Sequence, residues 1–121
     1  MGDERRRFIR APMRLMVFYT VAGTGKTRRA LTKDISGGGL RLITETLLQP
    51  AAQLTIQVTL PDAQVPITFE AEVSWSRPVD PQQPSAGSPT AETGITIVKI
   101  DPKAHMLLKQ YAALNAPPKN S

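Results

Sequence analysis

The chain reads as an all-β domain with a C-terminal helix, built as a six-stranded antiparallel β-barrel. Apolar and polar residues alternate over residues 54–60 and again over 67–76, which is the period of strands with one buried face. Short β-type runs follow one another with breaks rich in glycine and proline, a pattern that favours a closed or nearly closed small barrel. After the last run the period changes, and Ala104, Leu107, Leu108, Tyr111 and Leu114 fall on one helical face. At 121 residues there is material for one modest core and not for two.

Taken in order, residues 1–10 form a basic N-terminal arm, polar and expected to be flexible until something orders it. Residues 13–21, rich in Val, Phe, Tyr and Leu, predict the first strand. Pro12 is expected at its start, because proline donates nothing to a ladder. The run Gly23-Thr24-Gly25-Lys26-Thr27 imitates the end of a phosphate-binding P-loop. The first glycine of that pattern is replaced by Thr20, and no helix pattern follows to present its N-terminus to a phosphate. A glycine hairpin into the second strand, residues 28–33, is the better reading. A glycine corner then leads to a third strand over 40–43 and a connection over 44–53.

In the alternating strands, Leu54, Ile56, Val58 and Leu60 face inward, as do Ile67, Phe69, Ala71, Val73 and Trp75. Residues 78–93 hold prolines among Ser, Gln, Gly and Thr and predict a loop. Residues 94–100 predict the last strand. Asp101 is a good helix N-cap, Pro102 suits the first helical position, and Asn115 with Pro117 and Pro118 stops the helix. The barrel and helix thus span 11–115, with a tail at 116–121. Trp75 and Tyr111 are expected to pack in the core or at the barrel rim, and His105 to lie on the surface.

Composition excludes several classes. Cysteine is absent and histidine occurs once, at His105, so thiolate and histidine-cluster metal sites are ruled out. No apolar run approaches the roughly 20 residues of a membrane-spanning helix, and no apolar core follows the N-terminal charges as in a signal peptide. A cytoplasmic protein is the expectation. Glu70 and Glu72 point outward without a catalytic partner, and no nucleophile, base or metal constellation remains, so no enzyme is expected. The net charge of +5 favours an anionic partner. Arg5, Arg6, Arg7 and Arg10 concentrate that charge in the arm, which indicates a site rather than a broad nucleic-acid surface.

Two stretches carry chemistry. Asp34-Ile35-Ser36-Gly37-Gly38-Gly39 places a carboxylate and a hydroxyl beside bare backbone, where glycines are free to adopt positive φ or let a flat ligand come close. The arm supplies guanidinium forks, which bind phosphate and the O6/N7 edge of guanine in bidentate fashion. Carboxylate and hydroxyl for the N1/N2 edge, with arginines for the other edge and the phosphates, describe a guanine nucleotide site.

On these residues the chain resembles the PilZ domain, the bacterial receptor module for cyclic di-GMP. The family motif Arg-x-x-x-Arg is matched by Arg6 and Arg10, and Asp/Asn-x-Ser-x-x-Gly by Asp34, Ser36 and Gly39. The resemblance runs from about Glu4 to about Leu114. It implies a PilZ-type barrel that binds cyclic di-GMP through Arg5, Arg6, Arg10, Asp34, Ser36, Gly37, Gly38 and Gly39, with no cofactor beyond that ligand. It also implies that the arm folds over the ligand, and that Arg5, just before the arginine motif, favours two stacked ligand copies. The expected partners are cyclic di-GMP and a separate effector protein, with no nucleic acid and no membrane span, the chain itself being a monomer or weak dimer. A protein-interaction adaptor that binds no nucleotide is the alternative within the family.

Overall fold

The computed structural model describes residues 10–61, 65–79 and 91–116. Its elements are β1 (Arg10–Pro12), β2 (Met16–Val21), β3 (Thr27–Ser36), β4 (Gly39–Thr44), β5 (Gln53–Val58), β6 (Ile67–Pro78), β7 (Ala91–Lys99) and α1 (Pro102–Asn115). All pairings are antiparallel. The order β3-β2-β5-β6-β7-β4 closes on itself through the β3–β4 pair, giving the six-stranded barrel, and β1 is added alongside β3.

The strands expected to alternate do so. Leu54, Ile56, Val58, Leu60, Ile67, Phe69, Ala71 and Val73 are all buried. They meet Val17, Tyr19, Ile35, Leu40 and Leu42 from the opposite wall.

The expected first strand, 13–21, begins only at Met16 as β2, and a separate short strand, β1, precedes it. β1 ends at Pro12, and Met13-Arg14-Leu15 separates it from β2. The buried Thr32 fills the break: its hydroxyl donates to the Met13 carbonyl at 2.6 Å and accepts from the Leu15 amide at 2.8 Å. Proline thus sits at the end of a short flanking strand rather than at the start of a long one. The P-loop look-alike is a hairpin, with positive φ at Gly23 (88°) and Gly25 (71°). β7 begins at Ala91, earlier than expected, and Ala91, Glu92 and Thr93 are buried strand residues. The remaining predicted loop, residues 80–90, lies outside the described residues.

Asp101 caps α1 as expected, accepting from the amides of Lys103 at 3.0 Å and Ala104 at 3.4 Å. The buried face is the expected one rotated: Ala104, Leu108 and Tyr111 pack on the core as expected and Ala112 joins them fully buried, whereas Leu107 and Leu114 are exposed. Both faces have helical spacing, and the helix lies against β1 and β3 with its Leu108–Ala112 side. His105, one turn before Leu108, is brought to the barrel by that rotation.

Two β-bulges decide which residues leave the core. Between β3 and β4, Thr32 pairs with Leu42 and Asp34 with Arg41, so Lys33 is an extra residue. Period two would put Asp34 on the inner face with Ala30 and Thr32. The bulge reverses the alternation: Ile35 turns inward opposite Leu40, and Asp34 turns outward beside Arg41. Between β6 and β7 the pairing shifts between Val73 and Trp75, with Val73 opposite Ile95 and Trp75 opposite Gly94. Ser74 is the extra residue there, and Trp75 turns outward instead of following Val73 into the core.

Burial raises the Tyr19 phenol above its ordinary value of 10.0, with Glu45 adding to the shift and Arg28 opposing it. Its hydroxyl has no hydrogen-bond partner among the described residues. The fold therefore favours the neutral phenol. That stability is fully present below 10.0 and is lost as pH rises through the raised folded value. Thermal unfolding across this range is expected to show an alkaline loss that Tyr19→Phe reduces, with little cost at neutral pH. An alkaline loss equal in the two proteins would contradict it.

Candidate functional site

The outward residues selected by the bulges converge on one face of β1, β3, β4, β6 and β7. β1 brings Arg10 opposite Ser36, and Arg10 pairs diagonally with Asp34 through Oδ1. Arg41, directly opposite Asp34, donates from Nε to Oδ2 at 2.7 Å and also engages that oxygen through Nη2. Asp34 is 3% exposed, both oxygens held by guanidinium groups. Hydrogen bonding to Asp34 raises the Arg41 pKa above its already high ordinary value, so Arg41 is cationic throughout the physiological range.

A second carboxylate lies behind the first. Glu92 is 7% exposed and is approached by Lys33 at 3.4 Å, Arg77 at 3.5 Å and Arg41 at 3.6 Å. The Arg77 guanidinium lies 4.9 Å from the centre of the Trp75 ring, within cation–π range. Four cations thus surround two buried carboxylates, leaving this face positive and suited to an anion. An open pocket of about 350 Å³ lies on it, lined among others by Arg10, Ser36, Gly38, Gly39, Arg41 and Trp75.

The glycine corner is built by Ser36. Its hydroxyl donates to the Gly39 carbonyl at 3.0 Å and accepts from the Gly38 and Gly39 amides at 3.1 Å. Positive φ was the freedom expected of these glycines, yet among the described glycines it occurs only at Gly23 and Gly25. Space is the reason at Gly39 instead: an added Cβ would press into the Ile95 carbonyl group, 3.2 Å from its carbon. Gly94 answers the same need under Trp75, where a Cβ would lie 2.8 Å from Cζ2 of the indole.

Of the residues singled out from sequence, Arg10, Asp34, Ser36, Gly38 and Gly39 come together here, and Gly37 is buried beside them. Arg5 and Arg6 lie outside the described residues. Arg41, Glu92 and Arg77 were not anticipated. Arg41 was legible in principle as a cation seven positions after Asp34 on an adjoining strand. Arg77 stands two positions after Trp75, the spacing of same-face neighbours.

Trp75 is half-buried at the pocket rather than in the core, because of the Ser74 bulge. His105 is half-buried too, and its Nε2 donates to the Gly37 carbonyl at 2.8 Å, tying α1 to the corner. Its place on the surface was expected from the wrong helix face.

A family model for the PilZ domain matches residues 4–114. The chain belongs to the PilZ domain family. Solved structures agree on the fold. The Bacillus subtilis inhibitor of motility MotI/DgrA superposes with a TM-score of 0.73 at 22% identity, over 93% of this chain and 51% of that one. The PilZ domain of YcgR from Escherichia coli, solved with c-di-GMP, gives 0.66 at 20% identity, over 93% and 92% of the two chains. MrkH, described as a c-di-GMP-dependent transcription regulatory factor, gives 0.71 at 18% identity, over 91% and 50%. This PilZ chain therefore spans about half the length of MotI/DgrA and of MrkH. Comparison with curated proteins found no match. No described helix is long and apolar enough to cross a membrane.

Proposed function

We propose that this PilZ domain is a cyclic di-GMP receptor that passes its signal to a separate partner protein, and that it is a binding module rather than an enzyme. The observation that carries this reading is the pocket in which Arg10, Ser36, Gly38, Gly39, Arg41 and Trp75 meet. Its about 350 Å³ falls in the range of small-molecule sites. Guanine would take the Asp34 carboxylate with its N1 and N2 hydrogens and lie against the backbone at Gly38 and Gly39. Arg10, which is half-exposed, would leave Asp34 Oδ1 for a phosphate or for the O6/N7 edge. Arg41 would stay on Oδ2 and keep the carboxylate aligned.

Arg6 would close from the arm over the ligand, and Arg5 would favour a second stacked copy. Closing the arm changes the surface beside the barrel, and that change is the output. Charge-assisted hydrogen bonds contribute roughly 1.5–3 kcal/mol each. Three or four of them, offset by ordering the arm, bring binding to about −8 kcal/mol, a micromolar dissociation constant.

Calorimetric titration with cyclic di-GMP, beside GTP and a linear dinucleotide, tests the reading and gives the number of copies bound. Arg6→Ala and Arg10→Ala are each expected to weaken binding by at least about tenfold, roughly 1.4 kcal/mol, with the circular dichroism spectrum unchanged. Heat only with the linear or mononucleotide controls would reassign the ligand. No heat with any of them would leave a protein-interaction adaptor.

A further inference from the structure

Glu92 belongs to neither motif and stands on a different strand from both. It does not line the pocket, yet it touches what does. One carboxylate oxygen faces Arg41 Nη1 at 3.6 Å and Lys33 Nζ at 3.4 Å, and the other faces Arg77 Nη2 at 3.5 Å. Arg41 continues to Asp34, and Arg77 continues to the face of Trp75. Register explains how one residue reaches both: Glu92 pairs with Ile43 on β4 and with Arg77 on β6, so it stands between the strands that carry Arg41 and Trp75. A carboxylate this buried persists only with compensating charge. In exchange it restrains long cationic side chains that would otherwise move freely in solvent.

We infer that Glu92 is a positioning residue of the nucleotide pocket, which sets Arg41 against Asp34 at one end and Arg77 against Trp75 at the other. The inference rests on the cyclic di-GMP reading for its effect on affinity. Its effect on Trp75 is independent of that reading. Without the Glu92 charge, Arg41 and Arg77 lose their shared anchor and repel each other and Lys33. Asp34 then keeps its partners less firmly, and the indole loses the cation held over it.

The test is Glu92→Gln in the full chain, which preserves shape and removes the charge. Cyclic di-GMP affinity is expected to fall by about threefold or more, as for coupled members of one ion-pair network. Because the sequence contains a single tryptophan, emission and acrylamide quenching report Trp75 alone, and both are expected to change in the ligand-free protein. Glu92→Gln combined with Arg41→Met is expected to lose less affinity than the sum of the two single losses, because part of the Glu92 effect acts through Arg41. Wild-type affinity with wild-type quenching in Glu92→Gln would overturn the proposal, and so would full additivity in the double variant.

If Glu92→Gln fails to fold, single variants decide. Arg41→Met is expected to weaken binding, and Arg77→Met to alter Trp75 quenching. The proposal falls if neither does. If the wild-type chain binds no cyclic di-GMP, the functional reading fails on its own, and the tryptophan readout still decides whether Glu92 orders this face.

Discussion

Replacing Gly39 by valine is expected to cost both the fold and the ligand. The residue sits at the start of β4, paired with Thr96 on β7. Any Cβ there presses on the Ile95 carbonyl group. That group is backbone in a strand paired on both sides, with β4 and with β6, so it has little room to yield. Overpacking of this kind costs roughly 1–3 kcal/mol, and a β-branched residue meeting rigid backbone belongs at the upper end. The melting temperature is then expected to fall by roughly 10 °C.

Affinity should fall with it, because the Gly39 amide and carbonyl both bond to Ser36 and fix the corner. Gly39→Ala is expected to show the same direction with a smaller shift. A Gly39→Ala protein with wild-type melting and binding would mean that β7 gives way easily and that this close approach is not the reason for glycine.

Asp34→Ala is expected to separate the two properties. Removing the carboxylate deletes the acceptor proposed for guanine and releases Arg41 from its main partner. A charge-assisted bond accounts for roughly 1.5–3 kcal/mol, so affinity should drop by about tenfold to a hundredfold. Stability should change much less. The Arg10 and Arg41 side chains are 46% and 36% exposed, so water takes the place of the lost carboxylate. Asp34 itself is buried, but its removal strands no buried charge, so the loss is expected to stay at about 1 kcal/mol.

Asp34→Asn, which keeps the shape and one carbonyl acceptor, should fall between the wild type and alanine. Ser36→Ala should show a different balance, because among the described residues its hydroxyl bonds within the hairpin. Calorimetry and thermal melts on the same preparations measure both properties. Wild-type affinity in Asp34→Ala would show that the carboxylate serves the arginines and does not read guanine.

Much of this was legible in the chain itself. Strict alternation over 54–60 and 67–73 announced the buried faces, since in a strand the side-chain direction depends on nothing but position parity. Asp101 and Pro102 announced a helix start for reasons confined to the first turn. Asp34, Ser36 and the glycines were recognisable because their chemistry is local. The site as an assembly was not legible. Asp34 and Trp75 both stand at even spacing from core residues, Thr32 and Val73, and parity alone assigns them to the interior.

Each is turned outward by one extra residue, Lys33 or Ser74, in its own strand. Whether a strand accepts an extra residue depends on the hydrogen-bonding register of its neighbour, and that neighbour is distant in sequence for Trp75. The same holds for Glu92 meeting Arg41, and for His105 meeting Gly37, which required α1 to choose the Leu108–Ala112 side. Residue types and local periods follow from the sequence by itself. Which face a residue presents, and which charges become neighbours, was settled only when the strands closed into a barrel and their registers had to agree.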